Sequence, residues 1–439
     1  MSTIFRDLLS KYSTWPALVS YLSSAEGGSL RVDDISTTES PYALIRYVKG
    51  KSNLSLPHVR AFRSVVWDTL EHRPVSVTPF KSTEGECLPV TGTPADYTLE
   101  HFVDGVMIGM WFDKYSCAWR YHTRSTIGAN CRYYSQTQSF RQMFETATAN
   151  HNWDSLDRDA CYTWVLQDPD NRIVVPVKAP IAFMVLAAKV SSDATVDLSL
   201  PLPADKNPVV KTQTLATWDD VKNRVTDWNT RFAHTVQGIH IKDAQGNRWK
   251  LRTAEYNRVR QLRGNTARRD FVWLAAWRSN TLPAYLSLYP EERRGSDLAI
   301  GAWKRISNAV FHMYVDVFKA RSLPKTAIPP KYRPLVYGLH NKFMTELKPA
   351  GKTVNWQTVL EYMNSRDIPQ MLYVINWDAR NAQQQLGLPS IPLEPPSTAA
   401  TTTVTEPVLP APTAANAGEE DIYADMPALE TGMPPLEAI

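Results

Sequence analysis

Phe102-Val103-Asp104-Gly105-Val106-Met107-Ile108-Gly109-Met110-Trp111-Phe112-Asp113, followed by Lys114-Tyr115-Ser116 and then Ala118-Trp119-Arg120-Tyr121-His122-Thr123-Arg124, is the stretch around which the chain is organised. An apolar run with few charges, a short polar turn and a second run rich in aromatic residues predict two antiparallel strands. Apolar side chains fall on both faces, so the hairpin is expected to be buried. Its ends are polar, with Asp104-Gly105 at one and Arg124-Ser125 with Gly128-Ala129-Asn130 at the other. Polar groups gathered at the ends of a buried hairpin point to a site.

Upstream, Ile4, Leu8, Leu9, Tyr12, Trp15, Leu18 and Tyr21 recur at helical spacing interrupted by Pro16, which predicts two short helices. Strands are expected over 42–48, 61–68, 74–79, 161–167, 172–177 and 182–189, with the turn Asp168-Pro169-Asp170-Asn171 between the fourth and fifth. Two more, 238–242 and 248–252, flank Asp243-Ala244-Gln245-Gly246-Asn247. From about Tyr256 the period becomes helical, over 257–280, 297–321, 335–347 and 355–365. After Gln385 the composition turns to Pro, Ala and Thr, which cannot bury enough apolar surface to order itself. The fold class expected is therefore α+β: an antiparallel-sheet domain over 1–256, an all-helical domain over 257–385 and a disordered acidic tail over 386–439.

Among 439 residues, 48 Lys and Arg stand against 44 Asp and Glu, a net charge of only +4. No basic residue follows Arg380, whereas eight acidic ones do, so the body carries 48 basic against 36 acidic side chains. Such a body attracts polyanions. Cys87, Cys117, Cys131 and Cys161 have no zinc-knuckle or redox spacing and are expected to be reduced thiols. The amino terminus lacks the apolar block of a secretory signal, and the longest apolar run, 181–188, is too short to span a bilayer. No membrane association is expected.

Several polar motifs fall in order along the first domain. Asp104-Gly105 follows Phe102; Phe62-Arg63-Ser64-Val65-Val66-Trp67-Asp68 and Pro79-Phe80-Lys81-Ser82 precede it; Thr123-Arg124-Ser125-Thr126-Ile127-Gly128 comes after the hairpin. Cys161-Tyr162-Thr163-Trp164-Val165-Leu166-Gln167-Asp168-Pro169-Asp170-Asn171-Arg172-Ile173-Val174, then Gln237-Gly238-Ile239-His240-Ile241 and Lys250-Leu251-Arg252, complete the series. In this order the set resembles the motifs of the covalent nucleotidyltransferase superfamily, and especially the bacteriophage-type RNA ligase 1 family with its divergent relatives in large DNA viruses. The resemblance covers roughly residues 1–378. It implies a ligase adenylation domain, ATP and Mg²⁺ as cofactors, RNA as the partner, and a place in the host cytoplasm or the virion.

The same resemblance implies a nucleotide site formed by Arg63, Lys81, Asp104, Gly105, Arg124, Trp164, Gln237, Lys250 and Arg252. Arginine forks and lysine point charges suit phosphates, and Trp164 is placed either on the purine or in the core. Arg258, Arg260 and Arg263, with Arg268 and Arg269, are placed as an RNA-facing patch or a solvated helix face. Three positions depart from the family. Phe102 stands where the nucleophilic lysine belongs, Val165 where a ribose-binding glutamate is expected, and Gln237 where a Mg²⁺-binding glutamate is expected. No residue is assigned as a metal ligand and none as a catalytic group.

Two functions follow. One is an RNA ligase-like nucleotidyltransferase that binds ATP and RNA ends, with any surviving transfer depending on a relocated nucleophile such as Lys81 or Lys250. The other is a nucleotide-binding, RNA-binding or structural viral protein on the same fold, a pseudoenzyme. In the tail, Glu419-Glu420-Asp421-Ile422-Tyr423-Ala424-Asp425-Met426 mixes acidic and apolar residues, as a segment for a protein partner or as plain solubilising chain.

Overall fold

The computed structural model describes residues 1–83, 85–135, 137–203 and 210–385, which divide into two compact units, 1–265 and 266–385. The tail expected to be disordered, with its acidic segment, lies outside the described residues. The first unit combines helices with antiparallel sheets and the second is helical, in agreement with the expected class.

The first unit opens on α1 (Ile4–Lys11) and α2 (Trp15–Ser23), whose Phe5, Leu8, Leu18 and Leu22 bury their apolar stripes against a four-stranded sheet. That sheet is antiparallel in chain order: β1 (Arg31–Asp34), β2 (Tyr42–Arg46), β3 (Val65–Asp68) and β4 (Arg73–Ser76). The strand expected over 61–68 begins only at Val65. Pro57 instead starts a short helix, α3 (Pro57–Ala61), where the missing proline N–H costs nothing.

The chain continues through β5 (Thr98–His101), β6 (Val106–Asp113), β7 (Ala118–His122), α4 (Phe140–Ala147), β8 (Ala160–Gln167) and β9 (Ile181–Val190). It ends the unit with β10 (Val196–Asp197), β11 (Thr212–Gln213), α5 (Trp218–Phe232), β12 (Gly238–Lys242), β13 (Arg248–Arg252) and α6 (Ala254–Arg263). Two further antiparallel sheets result, with strand orders β10-β9-β8-β6-β7 and β11-β5-β12-β13. The expected hairpin is β6 with β7, and its turn is held by the Asp113 carboxylate, which accepts from the Tyr115 N–H and the Ser116 and Tyr42 hydroxyls. Only β6 is buried as expected; β7 is an edge strand and partly exposed.

No strand forms over 172–177. The Val174 and Val175 N–H groups that a ladder would use donate instead to the Asp104 carboxylate, at 3.1 and 3.0 Å, and the Arg172 guanidinium takes the Val174 carbonyl. A side chain from β6's entry has captured the backbone that the Val-rich composition suggested for a sheet.

Alternation along the third sheet places the site. Leu99, Ile239, Ile241, Trp249 and Leu251 share one face and pack on Val221 and Trp228 of α5, a helix started by the Thr217–Asp220 capping box. The residues between them, Glu100, His240, Lys242, Arg248, Lys250 and Arg252, therefore share the other face by strand periodicity and register. All but Lys242 are buried. A sheet with one apolar face and one buried face of mostly basic side chains is built for more than packing.

At the end of β7, the His122 imidazole is wholly buried, its Nδ1 3.0 Å from the Thr123 carbonyl and its Nε2 2.9 Å from the Ser76 hydroxyl. Gly109 lies opposite it in the register, and a Cβ there would stand 1.9 Å from Nε2, so only glycine leaves room for the ring. With Nδ1 donating and Nε2 accepting, the neutral tautomer is satisfied. Burial pushes the His122 pKa down to about 4. Folded protein thus excludes a proton that unfolded chain takes up near pH 6.5, and stability falls as pH drops from there toward 4. The loss expected from this group is about 3 kcal/mol, at 1.36 kcal/mol per pKa unit. Urea midpoints compared at pH 7 and pH 4.5 check it: His122→Gln is expected to flatten the wild-type acid slope, and an unchanged slope refutes the assignment.

The second unit comprises α7 (Arg269–Arg278), α8 (Leu282–Leu288), α9 (Arg293–Tyr314), α10 (Arg333–Lys342), α11 (Trp356–Asn364), α12 (Ile368–Ile375) and α13 (Trp377–Gln385). Trp303, Val310 and Tyr314 of the 22-residue α9 form the axis of its core, against Leu274, Val336, Leu339, Val359 and Met371. No described helix is long and apolar enough to cross a membrane.

Candidate functional site

Phe102 to Gly105 carries the chain from the third sheet to the second, and a cavity opens beside this crossing. Its walls come from Glu100, His240, Lys242 and Arg248 of the third sheet, Met107, Val165 and Val185 of the second, Arg63 and Ser64 just before β3, and Thr123 to Ser125 after β7. Two glycines make the crossing possible. Gly105 (φ 150°) and Gly238 (φ 145°) adopt backbone conformations that side chains disfavour, and an added Cβ would lie 2.3 Å from the Leu166 carbonyl oxygen and 1.9 Å from that of Leu251.

Asp104 is the knot of the crossing. Besides the Val174 and Val175 N–H groups it accepts the Tyr256 hydroxyl at 2.7 Å, so one carboxylate joins the entry to β6, the segment after Asn171 and α6. Burial raises its pKa, partly offset by these hydrogen bonds and by Arg260. The Phe102 N–H is bonded to the Gly238 carbonyl at 2.8 Å, and its ring lies 5.3 Å from that of His240 with the Arg252 guanidinium 4.9 Å from its centroid. Phe102 thus presents an aromatic surface under a cation.

Arg63 and Gln237 stand out for what they lack. The Arg63 residue is 8% exposed and lines the cavity, and its guanidinium has no hydrogen-bond or ion-pair partner among the described residues. Gln237 is 5% exposed, and its Oε1 has no hydrogen-bond partner there either. A buried acceptor left unsatisfied, as Gln237 Oε1 is, costs roughly 1–3 kcal/mol, which a bound group carrying a donor would offset. The cavity's other cations are engaged. Lys242 Nζ sits 2.7 Å from a Glu100 oxygen and donates to the Val185 carbonyl, Arg248 donates to the Phe80 carbonyl, and Arg124 donates to the Tyr47 carbonyl while lying over the Tyr47 ring. Partial burial holds the Lys242 pKa below its ordinary value, with Glu100 opposing.

Of the residues expected at a nucleotide, Arg63, Asp104, Gly105, Arg124 and Gln237 line the cavity, whereas Lys81, Trp164, Lys250 and Arg252 do not. Lys81 and Lys250 are buried, Arg252 backs the Phe102 ring, and the Arg252 N–H and guanidinium meet Glu86, which also binds Asn257. Trp164 belongs to the core, edge-on to Phe144 and Trp153, and Val165 faces the cavity instead because neighbours on a strand point opposite ways. The arginine patch on α6 is likewise divided: Arg258 is exposed and paired with Glu255, while Arg260 and Arg263 are buried, Arg263 over the Tyr134 ring. Positions two apart on a helix do not share a face. Sequence reasoning missed Glu100, Lys242, Arg248 and Tyr256; the period of two from Lys250 and Arg252 was enough to place Arg248 beside them.

The groups implied by the family resemblance fit unequally. A polyphosphate suits the Arg63 guanidinium, and a ribose hydroxyl or base amine suits the Gln237 oxygen. Mg²⁺ asks for an octahedron of oxygens, usually carboxylate and water. Among the described residues, no three His, Cys, Asp or Glu side chains are grouped to hold a metal ion. The two carboxylates among the described lining residues are committed, Glu100 to Lys242 and Asp104 to Val174, Val175 and Tyr256. Val165 has no donor atom and Gln237 offers one neutral amide oxygen, so the donor set does not fit Mg²⁺.

Neither protein-family models nor curated proteins give a match to the chain. Solved structures similar to it include two forms of an archaeal ATP-dependent RNA ligase. Form 1 aligns at 13% identity with a TM-score of 0.37, covering 68% of this chain and 78% of that one. Form 2 aligns at 12% identity with a TM-score of 0.36, covering 69% and 82%.

Proposed function

We propose that this protein is a divergent RNA ligase-like nucleotidyltransferase that binds ATP and phosphorylated RNA ends in the cavity beside Phe102, without forming a lysyl-adenylate at that position. The observation that carries this reading is Arg63, a largely buried arginine that lines the cavity and whose guanidinium has no partner among the described residues. The charged face of the third sheet, the order of the sequence motifs and the basic body support it. So does residue content outside the cavity, since 266–385 carries 17 Lys and Arg against 9 Asp and Glu, a charge balance suited to RNA backbone.

Phe102 has no nucleophilic atom, and Lys81 and Lys250 do not line the cavity. Lys242 is the lysine among the described lining residues, and its ammonium is bonded to Glu100 and to the Val185 carbonyl. Binding therefore outlives transfer on this reading, and a location in the cytoplasm or a virion, with a protein partner for the acidic tail, belongs to the same proposal. Incubation with α-labelled ATP is expected to leave no label on the denatured chain, while the native chain binds ATP saturably. Label that survives denaturation and maps to Lys242 would instead establish a relocated nucleophile.

A further inference from the structure

We infer that the cavity binds the polyphosphate of its ligand without a divalent cation, its negative charge being met by side chains alone. The inference rests on the nucleotide-binding reading above and concerns how that site neutralises charge. A di- or triphosphate brings several negative charges, and a site can offset them either with a metal held by carboxylates or with fixed guanidinium and ammonium groups. Here the described lining residues include four basic side chains, Arg63, Arg124, Lys242 and Arg248, against two carboxylates. Neither carboxylate is available to a metal. Glu100 lies 2.7 Å from Lys242 Nζ, and Asp104 accepts two backbone N–H groups and the Tyr256 hydroxyl.

The two positions where the family resemblance implies a further carboxylate are Val165, which has no donor atom, and Gln237, whose amide oxygen is buried and without a hydrogen-bond partner among the described residues. A neutral oxygen standing alone is a weak ligand for a hard cation but a good acceptor for a ligand's hydroxyl or amine. Arg63 completes the case, because a metal–phosphate complex would place added positive charge beside a guanidinium that has no counter-charge among the described residues. Bare phosphate relieves that guanidinium.

The test is equilibrium titration of the full chain with ATP, and separately with inorganic tripolyphosphate, in excess EDTA and in excess Mg²⁺ at one ionic strength. The expected result is a dissociation constant in EDTA that is tighter than in Mg²⁺ or within threefold of it. Tripolyphosphate that competes with ATP in EDTA assigns the effect to the phosphates. Binding weakened more than threefold by EDTA overturns the inference and leaves the nucleotide-binding reading standing. No binding in either buffer overturns both.

Discussion

Arg63→Ala is expected to weaken ATP binding by at least tenfold while the melting temperature of the free protein holds or rises. The two halves of this result have one cause. A charge-assisted contact to phosphate contributes about 1.5–3 kcal/mol, which is roughly ten- to a hundredfold in affinity. In the free protein the same guanidinium has no hydrogen-bond or ion-pair partner among the described residues, so its removal takes away no polar contact. An arginine that merely packed against β3 would behave the opposite way, with lost stability and unchanged affinity. Arg63→Lys keeps the charge but not the fork, and is expected to recover part of the binding. Titration calorimetry with a thermal melt on each variant separates these outcomes.

Asp104→Ala is expected to cost roughly 3–5 kcal/mol of folding stability, because it leaves the Val174 and Val175 N–H groups and the Tyr256 hydroxyl without their acceptor in a buried site. Asp104→Asn keeps an acceptor oxygen for the two N–H groups and removes a buried charge whose pKa is already raised by burial. Its cost is expected to be no more than about 1–2 kcal/mol. Urea denaturation of the two variants measures the difference. Equal losses would mean that the negative charge, rather than the hydrogen-bond acceptor, is what joins β6, the 174–175 segment and α6.

The hairpins were legible because their turns and their alternation point the same way. Gly238–Lys242 and Arg248–Arg252 come out with the bounds read from sequence, since Asp243 to Asn247 admits little else. The 172–177 segment was not legible as a loop, because its valines suggest a strand and the competing acceptor, Asp104, lies 70 residues away along the chain. Helix α5 was missed for a related reason: it buries only Val221 and Trp228 among a mostly charged and polar surface, too few apolar positions to declare a period.

Within the site, parity explains most of the differences. Trp164 and Val165 cannot both face one cavity, nor can Arg258 and Arg260 share one helix face, whatever their motif positions imply. Conversely, the register of β5, β12 and β13 sets Glu100, His240 and Lys242 beside Arg248, Lys250 and Arg252, a grouping that depends on pairing between strands more than 130 residues apart. Residue types alone suggest a basic site and no more. Only the sheet decides which cations meet the cavity and which support it from behind, and it gives Phe102 a defined place between His240 and Arg252.

The most direct test is a crystal structure of the full chain with ATP bound in EDTA. Phosphate oxygens are expected within hydrogen-bond reach of the Arg63 guanidinium, with a ligand hydroxyl or amine donating to Gln237 Oε1 and no covalent bond to the chain. Nucleotide bound away from this cavity, or phosphates turned away from Arg63, would contradict this.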